Sequence, residues 1–251
     1  MGREIFDLPV APADRRVAYT PGEFQFGELR LPASDGPHPL VITIHGGFWR
    51  ALRTLSYMGH LCEALRAARV ATWNIEYRRV GQPGGGYPGT LDDVAAGCAH
   101  VRELARECPL DVSRVVVVGH SAGGQLAFCA GAAVRGVVAL AGAVDLRRGL
   151  ELNLGDGAVR NFMGSAPSEA PESYRRASPI ENVPEGVPVR LVHGDADDIV
   201  PIEISERYER AAKAAGGDCE LIRLRQADHF DVIDPRSPVW PMVQQTIIDL
   251  L

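Results

Sequence analysis

The chain has 251 residues, 46% of them hydrophobic, which is enough to bury a sizeable core in one domain. Its formal net charge is −6 at pH 7 and its arginines are scattered, so the composition excludes the clustered basic surface that nucleic acid or an anionic membrane requires. The five cysteines form no C-x-x-C pair, and we expect reduced thiols.

The first residues, MGREIFDLPVAPADRR, carry acidic residues and prolines where a secretory signal needs a basic end and an apolar run. No segment reaches the ~20 apolar residues of a membrane span. We therefore expect a cytoplasmic protein that binds neither membranes nor nucleic acid.

Seven strand-like segments follow one another along the chain, and most are continuously apolar rather than alternating. They are 23–31, 39–46, 70–78, 114–120, 136–144, 187–194 and 219–225. Continuous apolar runs are typical of central parallel strands that are covered on both faces. The first strand or two, joined to the next without a helix, are expected to form an antiparallel edge.

Helix-like stretches separate most of these strands. They are 57–69, 90–108, 122–134 and 202–216. Alternation of strands and helices predicts an α/β fold with a mostly parallel central sheet flanked by helices. Residues 146–185 have prolines and mixed polarity but no strand pattern, so we expect a short cover insertion within a single domain, 1–251.

Four strand ends carry unusual residues, and ligand sites in parallel sheets lie outside the carboxyl ends of the strands. The four are HGGFW at 45–49, GHSAGG at 119–124, HGDADDIVP at 193–201 and ADHFD at 227–231. These four segments are therefore the candidates to carry catalytic residues.

Ser121 lies two residues from each of Gly119 and Gly123, and the valine run VVVV at 115–118 ends immediately before Gly119. A G-x-S-x-G pattern alone also fits an ordinary turn, but here it falls at a strand-to-helix junction. Glycines on both sides suit a bend so sharp that it exposes the serine hydroxyl. Ser121 is therefore the candidate nucleophile.

A serine hydroxyl needs a base to take its proton and a carboxylate to orient that base. If the chain order is serine, acid, histidine, the base follows the last strand, and among the seven histidines His229 alone does so. Candidates for the acid are Asp145, Asp195, Asp197 and Asp198. Position alone favours Asp197 only slightly.

These segments together resemble the α/β-hydrolase superfamily over nearly the whole chain. In that superfamily the aspartate of H-G-x-x-D-x-x-V-P is the catalytic acid, and the match to HGDADDIVP selects Asp197, with Asp145 as the main rival. HGGFW is similar to the H-G-G-x-W motif of kynurenine formamidases (arylformamidases) and related small carboxylesterases, and HFD after the base is similar to the same group. Lipases of the hormone-sensitive type have H-G-G-G at this place, and Phe48 in the position of the third glycine weighs against that branch.

Backbone N–H groups that point at the carbonyl oxygen stabilise the charge that develops there during attack. Glycines at 46 and 47 let the main chain approach the substrate, and the residue after the nucleophile, Ala122, supplies a donor at a helix start. The resemblance assigns the donors to Gly47, Phe48 and Ala122. We expect His45 to orient this loop through hydrogen bonds, since no second metal ligand stands at the right spacing.

Three aromatic residues are predicted to bind substrate: Trp49, Phe162 and Phe230. Trp49 and Phe230 are adjacent to catalytic positions, and Phe162 belongs to the cover insertion. Ordinary core packing is the alternative explanation for each of them.

The sequence therefore predicts a serine hydrolase that cleaves small, uncharged or aromatic esters or amides through an acyl-enzyme, either a carboxylesterase or an arylformamidase-like enzyme. It requires no metal and no organic cofactor, its partner is a small-molecule substrate, and a homodimer is allowed. One alternative is a small peptidase of the prolyl-oligopeptidase type, disfavoured because no propeller domain is present. Another is a non-catalytic ligand-binding protein with this fold.

Overall fold

A mixed β-sheet runs through the protein, for which a computed structural model describes residues 2–130 and 134–251. Within those residues the sheet has eight strands: β1 Arg15–Ala18, β2 Phe26–Arg30, β3 His38–Ile44, β4 Ala71–Ile75, β5 Leu110–His120, β6 Gly136–Leu140, β7 Val189–Gly194 and β8 Cys219–Leu224. Their order across the sheet is β1-β2-β4-β3-β5-β6-β7-β8.

Strand direction follows the prediction of a mostly parallel sheet with an antiparallel edge. Strands β3 to β8 pair with one another in parallel, whereas β2 is antiparallel to β4, and β1 to β2. The sequence did not predict β1. Its residues RRVA are largely exposed, so no apolar run marks them as a strand.

The helices flank the sheet. In the described part of the chain they are α1 Gly59–Ala67, α2 Gly89–Ala99, α3 Val101–Glu107, α4 Ala122–Leu126, α5 Leu146–Glu151, α6 Ala158–Met163, α7 Pro171–Ala177, α8 Glu203–Ala214 and α9 Trp240–Ile248. The predicted helix 90–108 is two helices that meet at His100. The predicted helix 122–134 becomes a 3₁₀ turn at Ala127–Cys129, and its residues 131–133 lie outside the described residues.

Successive valines of β5 explain why that strand has no polar face. Val115 and Val117 pack in a cluster with residues of α2 and α3, whereas Val116 and Val118 pack in a second cluster with residues of α1 and α9. Side chains alternate between the two faces of a strand, and here both faces are covered by helices. The central position of β5 places its carboxyl end, and hence Ser121, in the middle of one edge of the sheet.

The predicted cover insertion, 146–185, consists of α5, α6, α7 and a 3₁₀ turn at Pro179–Glu181, and it contains no strand. It packs against the loop after β3, where Phe162 of α6 stacks on Trp49 with ring centroids 4.7 Å apart. Arg50 Nη2 donates to the carbonyl oxygen of Gly155 at 2.5 Å. The insertion therefore supports the HGGFW loop.

All five cysteines are unpaired thiols. None of the helices described is both long enough and apolar enough to cross a membrane.

Candidate active site

Ser121 occupies the turn between β5 and α4 with a strained backbone, φ 56° and ψ −119°. A non-glycine residue in such a conformation costs about 1–3 kcal/mol, and strain of this kind is typical of functional sites. The flanking glycines make the turn possible. A Cβ on Gly119 would overlap the carbonyl oxygen of Gly123, and a Cβ on Gly123 would overlap that of Ile44. Both positions therefore require glycine.

The loops after β7 and β8 bring Asp197 and His229 together. His229 Nδ1 donates to Asp197 Oδ2 at 2.7 Å, and both side chains are almost entirely buried. Because Nδ1 is occupied, Nε2 is the ring nitrogen free to accept a proton. Ser121 and His229 line the same cleft, so the structure brings the three predicted catalytic residues to one place.

The Asp197 carboxylate accepts further hydrogen bonds from its own loop. Oδ1 accepts from the backbone N–H groups of Ile199 and Val200, each at 2.8 Å, and Oδ2 accepts from His193 Nε2 at 3.1 Å. Burial by itself would raise the pKa of Asp197, but the hydrogen bonds from His193 and His229, with the charge on those rings, hold the pKa below its ordinary value. The carboxylate of Asp197 is therefore ionised at neutral pH.

Two of the rival acids, Asp145 and Asp195, bind other groups. Asp145 caps α5 by accepting from the Arg148 N–H at 2.9 Å, and its second oxygen accepts from Arg207 Nε at 2.8 Å. Asp195 accepts a backbone hydrogen bond from the turn after β8. Neither makes a hydrogen bond with His229 within the described residues. Of the candidate acids, the geometry therefore favours Asp197.

The HGGFW loop folds back against the nucleophile. Gly47, Phe48 and Trp49 all have positive φ, of 110°, 55° and 55°. A Cβ placed on Gly46 would lie 2.8 Å from the Cβ of Ser121, so the main chain of the loop passes as close to the nucleophile as glycine permits.

The predicted oxyanion donors are unoccupied. The N–H groups of Gly47, Phe48 and Ala122 donate to no acceptor among residues 2–130 and 134–251. The preceding amide is different, because the Gly46 N–H donates to Tyr57 Oη. These three N–H groups therefore remain candidates for binding an oxyanion.

His45 orients the loop, as its position suggests. Its Nε2 lies 2.7 Å from Glu76 Oε1 and its Nδ1 lies 2.8 Å from the carbonyl oxygen of Gly46, while its ring stacks on Tyr77 at 4.3 Å. Burial opposes the charge of Glu76, but His45 and Arg79 outweigh it and lower the pKa of that carboxyl group. No group of three or more His, Cys, Asp or Glu side chains in the described chain could hold a metal ion.

Sequence reasoning missed a hydrogen-bonded link that joins three loops of the site. His120 Nε2 donates to the carbonyl oxygen of His229 at 2.9 Å, so Nδ1 accepts from the Tyr57 hydroxyl at 3.1 Å. Burial, and next the charge of His229, lower the pKa of His120 to about 3, which keeps the ring neutral. The motif GHSAGG contains His120, but nothing in the sequence around Tyr57 marks it.

The cleft has a volume of about 430 Å³. Of the predicted residues, Ser121, His229, Gly47, Phe48 and Phe230 line it. The cleft is also lined by Phe6, Arg50 and Arg53, which belong to no recognisable sequence motif.

Trp49 and Phe162 do not line the cleft, so the structure corrects their predicted role in substrate binding. Each is only 1% exposed. Positive φ at Phe48 and Trp49 turns the indole into the core, where Nε1 donates to Gln125 Oε1 of α4 at 2.9 Å. The tryptophan of HGGFW therefore fixes the loop to the nucleophile helix.

The sheet and this cleft define a protein with the α/β-hydrolase fold. Residues 88–240 match the prolyl oligopeptidase family, and the chain belongs to that family. Residues 28–135 also match the family described as BD-FAE.

Among curated proteins, the chain is similar to the isoprenylcysteine alpha-carbonyl methylesterase ICME of Arabidopsis thaliana, with 25% identity over 82% of this chain and 53% of that protein. It is similar to esterase LipC of Mycobacterium tuberculosis, with 26% identity over 88% of this chain and 60% of that protein. The chain thus spans little more than half the length of these relatives.

Among solved structures, esterase 2 of Thermogutta terrifontis in its propionate-bound form superposes with a TM-score of 0.78. The match covers 96% of this chain and 94% of that one at 21% identity. At that identity the likeness establishes the fold.

Proposed function

We propose that this protein is a serine hydrolase that cleaves carboxylic esters through an acyl-enzyme. The observation that carries the proposal is the 2.7 Å hydrogen bond from His229 Nδ1 to Asp197, in the cleft that Ser121 also lines. A buried, oriented imidazole beside a strained serine turn is the arrangement that activates a hydroxyl group.

In the first half-reaction, Ser121 Oγ attacks the acyl carbon while His229 Nε2 takes the hydroxyl proton. Asp197 stabilises the imidazolium that forms, and the N–H groups of Gly47, Phe48 and Ala122 bind the oxyanion. His229 then gives its proton to the leaving oxygen, and the alcohol departs. Water, deprotonated by His229, attacks the acyl carbon, and His229 returns the proton to Ser121 Oγ as the acid leaves.

Esters are favoured over formamides as the substrate. The formamidase proposal rests on the motifs HGGFW and HFD, and the tryptophan of the first motif is buried away from the cleft. Curated relatives that cover most of this chain are esterases by name, which supports the same choice. Membership of the prolyl oligopeptidase family favours a peptidase as the second candidate.

The test is covalent labelling with a fluorophosphonate, followed by peptide mass spectrometry and by hydrolysis of 4-nitrophenyl acetate. We expect the label on Ser121, and we expect Ser121→Ala to lose labelling and to lower kcat by roughly 10⁴–10⁶. The matched control is Ser34→Ala, because Ser34 is an exposed serine that does not line the cleft. An adduct on any other residue would refute the assignment.

N-formylkynurenine and a prolyl 4-nitroanilide, measured beside the ester, compare the three substrate classes. We expect kcat/KM to be highest for the ester. A higher value for the formamide or the anilide would replace the ester proposal by the corresponding alternative.

A further inference from the structure

Two guanidinium groups line the catalytic cleft of a chain whose net charge is −6. The guanidinium group of Arg50 already forms hydrogen bonds, since its Nη2 donates to the carbonyl oxygens of Gly155 and Asp156 at 2.5 and 2.9 Å. Arg53 differs, because its side chain makes no hydrogen bond and no ion pair with any residue that the structure describes. It contributes only its backbone carbonyl oxygen, which accepts from Arg79.

The position of Arg53 is nevertheless fixed by packing. Its guanidinium carbon lies 3.8 Å from the centroid of the Phe6 ring, a distance typical of a cation–π contact. Its stem passes over the oxyanion loop, where a Cβ on Gly47 would lie 2.8 Å from the Cβ of Arg53. A half-buried arginine held at the cleft with its donors unused is suited to bind a ligand.

The contacts of Phe6 show which side of the substrate Arg53 would meet. Phe6 packs edge-on against Phe230, with centroids 5.0 Å apart, and Phe230 packs edge-on against the ring of His229 at 5.1 Å. His229 must deliver its proton to the leaving oxygen, so the leaving group lies on the His229 side. Arg53 therefore borders the part of the cleft that the leaving group occupies.

Asp7 is the one carboxylate among the described residues that line the cleft. It is exposed, and it forms no ion pair with Arg53 in the described structure. The lining thus keeps a net positive charge, which would attract an anion and repel a cation.

We propose that Arg53 binds an anionic group on the leaving-group side of the substrate, so that the preferred substrates are esters whose alcohol or phenol carries a carboxylate. The inference rests on the proposed ester hydrolysis and replaces the expectation of an uncharged substrate. A guanidinium forms two parallel charge-assisted hydrogen bonds with a carboxylate, and the apolar faces of Phe6 and Phe230 would hold a planar leaving group beside it.

The test compares 4-acetoxybenzoate with its neutral analogue 4-acetoxybenzamide, which has the same acyl group and nearly the same shape. The readout is the ratio of the two kcat/KM values within each variant, so a general change in activity cancels. We expect this ratio to fall about ten- to hundredfold in Arg53→Gln. Arg53→Lys, which keeps the charge but not the paired donors, should retain part of the preference, and Arg102→Gln on the surface of α3 should retain all of it.

A second measurement uses the unaltered protein. Raising the ionic strength should lower kcat/KM for the benzoate and leave that for the benzamide nearly unchanged, because salt screens the attraction between charges. An unchanged ratio in Arg53→Gln, or equal salt dependence for both esters, would overturn the proposal.

The side of the cleft is tested with an anion on the acyl part, by comparing 4-nitrophenyl hydrogen succinate with 4-nitrophenyl pentanoate. If Arg53→Gln changes this ratio instead, the placement on the leaving-group side is wrong. Failure of the proposed function looks different, since then neither acetoxy ester is cleaved and Ser121 is not labelled.

Discussion

The hydroxyl group of Tyr57 lies 3.1 Å from Nδ1 of His120 and so connects the oxyanion loop to the nucleophile turn. The same hydroxyl accepts from the Gly46 N–H, and the other nitrogen of His120 donates to the carbonyl oxygen of His229. One chain of hydrogen bonds, all running in one direction, therefore holds the loops that carry the proposed oxyanion donors, nucleophile and base. We regard Tyr57 and His120 as positioning residues.

Tyr57→Phe tests this link. The change leaves the Gly46 N–H and His120 Nδ1 without partners in a buried place, which costs about 1–3 kcal/mol of unfolding free energy. We also expect a fall in kcat with little change in KM, because the loop contributes most in the transition state. Urea denaturation and kinetics with 4-nitrophenyl acetate measure the two effects.

Tyr87→Phe is the control for that variant. Tyr87 is half-buried, and its hydroxyl makes no hydrogen bond to any described residue, so both quantities should stay near their wild-type values. Equal effects of the two substitutions would show that the Tyr57 hydroxyl has no special role.

The pH dependence of stability provides a separate test of His120. Its pKa is about 3 in the folded protein, mainly because the ring is buried, against an ordinary value of 6.5 in the unfolded chain. Below pH 6.5 the unfolded state therefore binds a proton that the folded state does not, and unfolding becomes easier as the pH falls towards 3. The contribution of His120 to stability is complete above pH 6.5 and is lost on acidification.

His120→Gln removes this titration and keeps a donor for the carbonyl oxygen of His229. Between pH 7 and pH 5 the wild-type protein should lose roughly 2 kcal/mol more unfolding free energy than the variant does. The measurement is urea unfolding at several pH values in this window. Parallel pH profiles would mean that the ring of His120 is protonated in the folded state.

Most of the fold and the strained turn at Ser121 could be predicted because their signals are local. The valine run of β5 indicates a strand that is covered on both faces, and the glycines around Ser121 indicate a tight turn that has no room for a Cβ atom. The candidate base, His229, was selected on the premise of the chain order serine, acid, histidine. Position separated Asp197 from Asp145 only slightly, since both follow strands at the same edge of the sheet, and the family resemblance selected Asp197. The structure adds the hydrogen bond between Asp197 and His229.

Sequence reasoning missed Arg53 and Tyr57, whose place in the cleft depends on how the segment between β3 and α1 folds. Arg53 precedes the predicted helix 57–69 and Tyr57 is its first residue, and no motif at either position marks a residue of the cleft that both of them line. Trp49 was misplaced for a related reason. Its direction depends on positive φ at two non-glycine residues, which local propensity does not predict.

Two aspartate variants separate catalysis from structure. Asp197→Asn should lower kcat by roughly 10⁴, because an amide cannot hold the imidazole in the productive tautomer or stabilise its charge. Asp145→Asn keeps an oxygen that can cap α5 and loses mainly the ion pair with the partly exposed Arg207, so its kcat should stay near the wild-type value. Circular dichroism confirms folding of both variants. Loss of activity in Asp145→Asn alone would assign the catalytic acid to the end of β6.

The shape of the cleft predicts a preference for short acyl groups. Phe48 lies over Gly155 of the cover insertion, where a Cβ on that glycine would come within 2.5 Å of the ring, and Phe6 and Phe230 close the His229 side. A cleft of about 430 Å³ with these walls suits a small acyl group and a planar leaving group.

We therefore expect kcat/KM to fall from acetyl through butanoyl and octanoyl to decanoyl in a series of 4-nitrophenyl esters. The fall should be gradual, because one methylene group changes discrimination by only ~1–3 kcal/mol. Phe48→Ala, which removes the ring between the loop and the insertion, should make the series flatter by admitting longer chains. A rise in kcat/KM with chain length in the wild-type protein would mean that the acyl group lies in an open groove. The prediction of a closed aromatic pocket would then be wrong.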